Sequence, residues 1–269
     1  MTIENGFERI EARGWRLGFG NLLNRENRKW WASNRWWLQS LIWLVILVGF
    51  VALVLFVIPG LTSPEGQPAL EGDPLMGALQ GFFGVGAVAL ALGITVLMQD
   101  EVITEKQLGT AEWVLSKPVS RSAFILAKLV AHTLGMLFVM IAVPSAGAYA
   151  LLVLYAGVAY PLAPFLAGVA LLALHTFFYL TLTLMLGVLA SRRELLLAIS
   201  LASLLGGSFI RDFIPRPALF TPWFLPDVAG LAAMNLEFPE EFLVPVLATS
   251  VWSIAFIVVA LKMFQRHEF

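Results

Sequence analysis

Residues 99–128 read QDEVITEKQLGTAEWVLSKPVSRSAFILAK. Seven of the eight charges in this stretch lie between Asp100 and Arg121, and long apolar segments flank it on both sides. Such a polar insert cannot lie in hydrocarbon, so it is exposed on one membrane face and can touch a soluble partner. Its residue order predicts local structure. Asp100, Glu101 and Glu105 come early, where a helix amino terminus favours anions. Val102, Leu108, Trp113 and Leu115 supply apolar contacts. Gly109 and Thr110 interrupt the helix, Lys117 and Pro118 end it, and Ser120 can cap the helix that follows. The expected product is a short amphipathic helix, a break and a second short piece, pressed against the membrane face.

The whole chain sets this insert in a membrane protein. Of 269 residues, 59 % are hydrophobic and 13 % charged, against about 25 % charged in an average soluble domain. A chain so poor in polar surface needs lipid as its solvent. The absence of cysteine excludes disulfides, thiolate metal sites and a cysteine nucleophile. The first apolar run starts near Leu38, late for a signal peptide, and is read as a retained transmembrane helix.

A bilayer core takes roughly 20 apolar residues as helix. The expected spans are Leu38–Ile58, Leu75–Met98, Ser122–Tyr155, Pro161–Ala190, Leu195–Ile210 and Glu241–Leu261. The third is long, and Pro144 inside it predicts a kink or a break. Splitting it would reverse everything downstream, and the charges argue against that. Six spans place fifteen of the seventeen basic residues, all but Arg211 and Arg216, on one side. The positive-inside rule then puts both termini in the cytoplasm of a multi-pass cytoplasmic-membrane protein.

Residues 1–37 read as an interfacial elbow helix ahead of a transmembrane domain at 38–269. Trp15, Trp30, Trp31, Trp36 and Trp37 alternate with Arg28, Lys29 and Arg35. Indole rings favour the headgroup level and basic groups favour anionic lipid, so Trp30, Trp31, Trp36 and Trp37 are expected interface anchors; nucleic acid is not the expected partner. The connection at 211–241 holds five prolines and a short apolar piece, Val228–Leu236. It reads either as short helices dipping into the outer leaflet or as an ordinary interfacial loop.

Few residues suggest chemistry. At about 1.5 Å per residue, His132 lies about 12 Å into span three and His175 about 22 Å above the inner end of span four. Different depths weaken a shared metal or proton site, and a neutral histidine bonded to a neighbouring helix is the expectation for each. No metal site is expected. No HExxH metalloprotease motif and no GxxxxGK[ST] phosphate loop occurs. If nucleotide drives this protein, another chain binds it. Gly77 and Gly81 form a GxxxG in span two, which permits close helix contact. Lys128 is close enough to the inner edge to snorkel.

The loop pattern resembles that of the ABC-2-type permeases, the transmembrane subunits of many bacterial ABC exporters, which often carry E…E…GT…LL…P[VIL]SR…..GK after span two. Here stand Glu101, Glu105, Gly109 and Thr110, Val114 and Leu115, Lys117-Pro118-Val119-Ser120-Arg121 and Lys128, with Ala127 where many members have glycine. The nearest likeness is to the subgroup of nitrous-oxide-reductase maturation and gliding-motility permeases. The resemblance implies an all-α fold with six transmembrane helices, an amino-terminal elbow helix, a cytoplasmic coupling helix at 99–121 and semi-buried or re-entrant helices before helix six. It implies that Glu101, Glu105, Gly109, Thr110, Trp113, Lys117, Pro118 and Arg121 couple to a separate ATP-binding cassette ATPase, present in two copies. That partner would bind ATP and Mg; this chain would hold no cofactor and have no enzymatic activity of its own. The chain would dimerise with itself or a paralogue, and substrate would pass along the seam. The alternative is an ATP-independent membrane protein, either a secondary transporter or an intramembrane enzyme. Nothing in the sequence identifies the substrate.

Overall fold

The computed structural model describes residues 14–61 and 72–266; Arg9, Arg13 and His267 lie outside them. The described chain is helical, with no strand among the described residues. The elbow helix is α1 (Phe19–Trp31). The spans are α2 (Arg35–Gly60), α3 (Pro74–Met98), α6 (Arg121–Ala156), α7 (Leu162–Leu189), α8 (Arg193–Phe213) and α11 (Leu243–Arg266). The loop forms α4 (Ile103–Gln107) and α5 (Thr110–Leu115). Residues 211–241 form α9 (Pro215–Ala218), a 3₁₀ turn at Pro222–Phe224 and α10 (Leu225–Ala233).

Six helices are long and apolar enough to cross a membrane, one for each expected span. Pro144 does not split the third. The helix runs on from 121 to 156, with a π-helical stretch at Met136–Ala142 just before the proline. Proline has no N–H for the ladder, and the wider π register absorbs the mismatch.

The central element is α7: 61 % of its most apolar stretch is buried, against 22–28 % for α2, α8 and α11. The last three therefore form the rim, with apolar flanks left for lipid or a second chain. Small residues set the closest approaches. A Cβ on Gly81 would fall 2.3 Å from Phe50, and one on Gly93 2.3 Å from Trp43, so glycines of α3 admit the aromatic rings of α2. At the far end, a Cβ on Gly168 would fall 2.6 Å from the Ala229 carbonyl, which is how α10 comes to lie on α7. The expected apolar piece is thus a short helix packed against α7 and α3, with Leu225, Val228, Ala229 and Ala233 buried. Tyr149 donates to the Tyr160 carbonyl at 2.7 Å and Tyr160 to the Ala233 carbonyl at 2.8 Å, fastening that end.

The opposite end gathers α1, the loop, the 190–192 turn and the last turn of α11. Lys106 donates to the carbonyls of Val188 and Ala190, each at 2.9 Å, and Arg121 to that of Gln265 at 2.7 Å. Bringing these segments to one end is what an even number of crossings requires.

Candidate functional site

The loop takes its shape from three residues. Gly109 lies at φ 66°, the left-handed region that favours glycine, and so separates α4 from α5. Thr110 opens α5. Ser120 caps α6, its hydroxyl accepting from the Ala123 N–H at 2.9 Å. The same serine's N–H donates to the Leu17 carbonyl at 3.0 Å, binding the loop's end to the elbow. Gly18 (φ 75°) leaves that crossing room, since a Cβ there would fall 2.3 Å from Val119.

Beneath the loop lies a buried ionic cluster. Lys128 is fully buried, with its Nζ 3.0 Å from Glu105, 3.1 Å from Glu26 and 3.7 Å from Glu101. Lys29 reaches Glu26 at 2.7 Å, Glu101 at 3.0 Å and Glu105 at 3.2 Å. Arg35 meets Glu101 at 3.3 Å and Arg25 meets Glu105 at 3.7 Å. Three carboxylates are thus matched by two ammonium groups and a guanidinium, with a second guanidinium at the edge. The charges come from α1, the start of α2, the α3–α4 junction, α4 and α6, so the cluster fastens the elbow and the loop to the spans.

The electrostatics follow from this geometry. Burial works to raise the Glu26 carboxyl, but Lys128 and Lys29 beside it outweigh burial and hold it below the ordinary carboxylate range. Burial likewise works to lower Lys29, and the surrounding Glu101, Glu26 and Glu105 hold it above the ordinary lysine range.

Trp30 seals the cluster. It is fully buried and donates from Nε1 to His132 Nδ1 at 3.2 Å, its ring packed where a Cβ on Gly135 would come within 2.5 Å. Because Nδ1 accepts, the neutral imidazole carries its proton on Nε2, which faces Glu101 at 3.4 Å. Glu26, Glu101 and His132 place ligand atoms within 4.8 Å of one another. The set does not fit a metal ion: the Nε2 that would coordinate is protonated, and the Lys128 ammonium already occupies the cation position.

Several expectations are corrected here. Trp30 is not a headgroup anchor, and Lys29 and Arg35 are turned to carboxylates rather than to lipid. Lys128 does not snorkel, because α1 covers it. Glu101 and Glu105, expected to face a soluble partner, have side chains only 9 % and 13 % exposed. They face the elbow and hold the loop down.

Other loop residues face outward. Leu108 is 73 % exposed and Trp113 62 %, with the Lys117 ammonium 3.6 Å over the indole ring. Pro118 is exposed, and Arg121 is engaged with the end of α11. A groove of about 700 Å³ runs between elbow and loop, lined by Leu17, Asn21, Leu22, Trp113, Lys117 and Val119 among others. Trp31, Trp36 and Trp37 are 41–44 % exposed along the elbow and the start of α2.

The inward face of α1 had a signal in the sequence. Leu22, Glu26 and Trp30 recur every four residues, which puts them on one side of a helix, and all three are buried. No protein-family model and no curated protein matches the chain.

Proposed function

We propose that this chain is the membrane-spanning subunit of an ABC-2-type exporter, driven by a separate ATP-hydrolysing subunit that docks on the 99–121 loop. The observation that carries the reading is the division of labour within that loop. Glu101 and Glu105 are locked to the elbow and to α6, while Leu108, Trp113 and Lys117 face outward beside an open groove. A segment that transmits force needs a grip for its partner and a stiff joint to the spans. Here the grip is the α5 face and the joint is the buried ionic cluster. The nucleotide machinery belongs to the partner, with ATP and Mg bound there. Two permease chains, identical or paralogous, and two ATPase subunits make up the assembly in the cytoplasmic membrane, with the loop end and both termini inside.

The buried carboxylates, lysine and histidine give the ATP-independent alternative its one supporting observation, since ionisable groups within membrane helices often mark transport paths. Against it, each charge of the cluster has opposite partners within 4 Å, and Trp30 covers His132 with a hydrogen bond to Nδ1.

The test is reconstitution with the ATPase encoded beside this chain. Leu108→Asp and Trp113→Ala are expected to lower permease-stimulated ATP turnover at least tenfold while leaving the thermal midpoint of the permease unchanged. Unaltered turnover in both variants, or transport by the purified chain without ATP, overturns the reading.

A further inference from the structure

About midway along α3 and α7, these helices, α8, the Pro222–Phe224 turn and the start of α10 line a cavity of about 200 Å³. A second cavity of about 290 Å³ shares its Gly84, Pro226 and Asp227 walls. His175 and Tyr179 stand one turn apart on α7 with ring centroids 5.2 Å apart. Both are buried and line the first cavity, yet neither the Tyr179 hydroxyl nor His175 Nε2 has a hydrogen-bond partner. Trp223 and Ser203 lie near the hydroxyl, and the Ala87 backbone near the His175 ring, without reaching bonding geometry. Buried polar atoms in apolar surroundings are bonded in the great majority of proteins, so three from the walls of one cavity, the Trp223 indole N–H being the third, point to a guest.

The chemistry of the guest follows from the atoms left over. His175 Nδ1 lies 3.1 Å from the Pro222 carbonyl, which can only accept, so Nδ1 carries the ring proton. Nε2 of the neutral ring is then an acceptor. The tyrosine hydroxyl can donate. A hydroxyl guest fits all three atoms, donating to His175 and accepting from Tyr179 and from the Trp223 indole N–H. The remaining walls are Gly84, Ala87, Val88, Leu204 and Pro226, and the charges lining the cavity, Arg211 and Asp227, face each other at 2.7 Å. A charged guest would lose its hydration with no excess of opposite charge to receive it. Gly84 and Val88 are exposed on the flank of α3, so the opening faces sideways, to where lipid would lie.

We infer that this cavity binds a neutral hydroxyl-bearing group between His175 and Tyr179, supplied by the headgroup of an uncharged lipid or by a free polyol. The inference stands apart from the permease reading, because it needs neither ATP nor a partner chain. The experiment is equilibrium binding of tritiated 1,2-dioctanoylglycerol to the full chain in phosphatidylcholine nanodiscs, with empty nanodiscs subtracted. Saturable one-to-one binding is expected. Tyr179→Phe, which removes one oxygen, should weaken it about fivefold to tenfold. Gly84→Leu should abolish it by filling the mouth. A Cβ at Gly84 meets nothing within 4 Å, so that variant keeps the wild-type thermal midpoint. Competition by free glycerol supports a polyol guest, and failure of glycerol to compete supports a lipid guest. Binding that does not saturate, or that neither substitution weakens, overturns the proposal and leaves water as the partner of these atoms.

Discussion

Replacing Lys128 with methionine removes the charge at the centre of the ionic cluster and keeps most of the side chain's volume. Wild-type Lys128 is fully buried, with three carboxylates between 3.0 and 3.7 Å from its nitrogen. Without it, Glu26, Glu101 and Glu105 are left to Lys29 and Arg35, with Arg25 at the edge, and one negative charge goes unmatched inside the fold. Removing one partner of a buried pair costs about 3–5 kcal/mol. In a protein of this size that is on the order of 10 °C in Tm. The penalty is large because Lys128 itself is out of reach of solvent. The assay is differential scanning fluorimetry in detergent at fixed salt, with protease sensitivity of the elbow as a second readout. A double variant separates charge from packing: adding Glu26→Gln to Lys128→Met restores the balance and should recover at least half of the lost Tm. A single variant within 1 °C of wild type would refute the reasoning. So would a double variant whose loss is the sum of the two single losses.

The same cluster makes stability depend on pH. Glu26 is held below its ordinary value of 4.5, so its contribution is complete above that pH and is lost as pH falls through the depressed folded value. Lys29 is held above its ordinary value of 10.5, so its contribution is complete below that pH and is lost only as pH rises through the raised folded value. A Tm profile should therefore be flat from about pH 5 to 10 with respect to these two groups and fall on the acid side; Glu26→Gln should flatten the acid limb. Trp30→Phe deletes one indole N–H and should cost about 1–2 kcal/mol by thermal unfolding. Gly135→Val drives side-chain atoms into the Trp30 ring and should release the elbow to limited proteolysis. Gly109→Ala forces a side chain into the left-handed region at about 1–2 kcal/mol, and should shift the α4–α5 break while leaving the spans intact in a hydrogen-exchange map.

The spans were legible because the signal is redundant. Each is a run of roughly 20 apolar residues, and an error of three residues at an end changes nothing, so Leu38–Ile58 and Arg35–Gly60 describe one helix. The loop was legible for a different reason: Gly109 and Ser120 act on their immediate neighbours, and local chemistry is written locally. The cluster was not legible. Lys29 and Lys128 reach partners 72 to 102 positions away, and no local rule says which charges will meet across such distances. Acidic residues at a membrane edge read naturally as solvent-exposed. They are buried only because α1 folds back over them, and that depends on packing between Trp30 and Gly135. The four-residue spacing of Leu22, Glu26 and Trp30 was the one available hint, and the run of tryptophans masked it by suggesting lipid. His175 shows the reverse case. A histidine bonded to a neighbouring helix was expected, whereas its partner, the Pro222 carbonyl, comes from a proline-rich turn that no periodicity could place.

In the proposed assembly a soluble ATPase grips the outward face of the loop. The chain has no cysteine, so single cysteines can report contacts without background. The most direct measurement is cross-linking from Trp113→Cys and from Leu108→Cys to the ATPase subunit in native membranes, with Phe213→Cys, exposed at the opposite end of the bundle, as the control. The account predicts cross-links from the two loop positions, none from Phe213→Cys, and loss of stimulated ATP turnover once the loop is linked. No adduct at either loop position, or linked complexes that hydrolyse ATP at the unlinked rate, would contradict it.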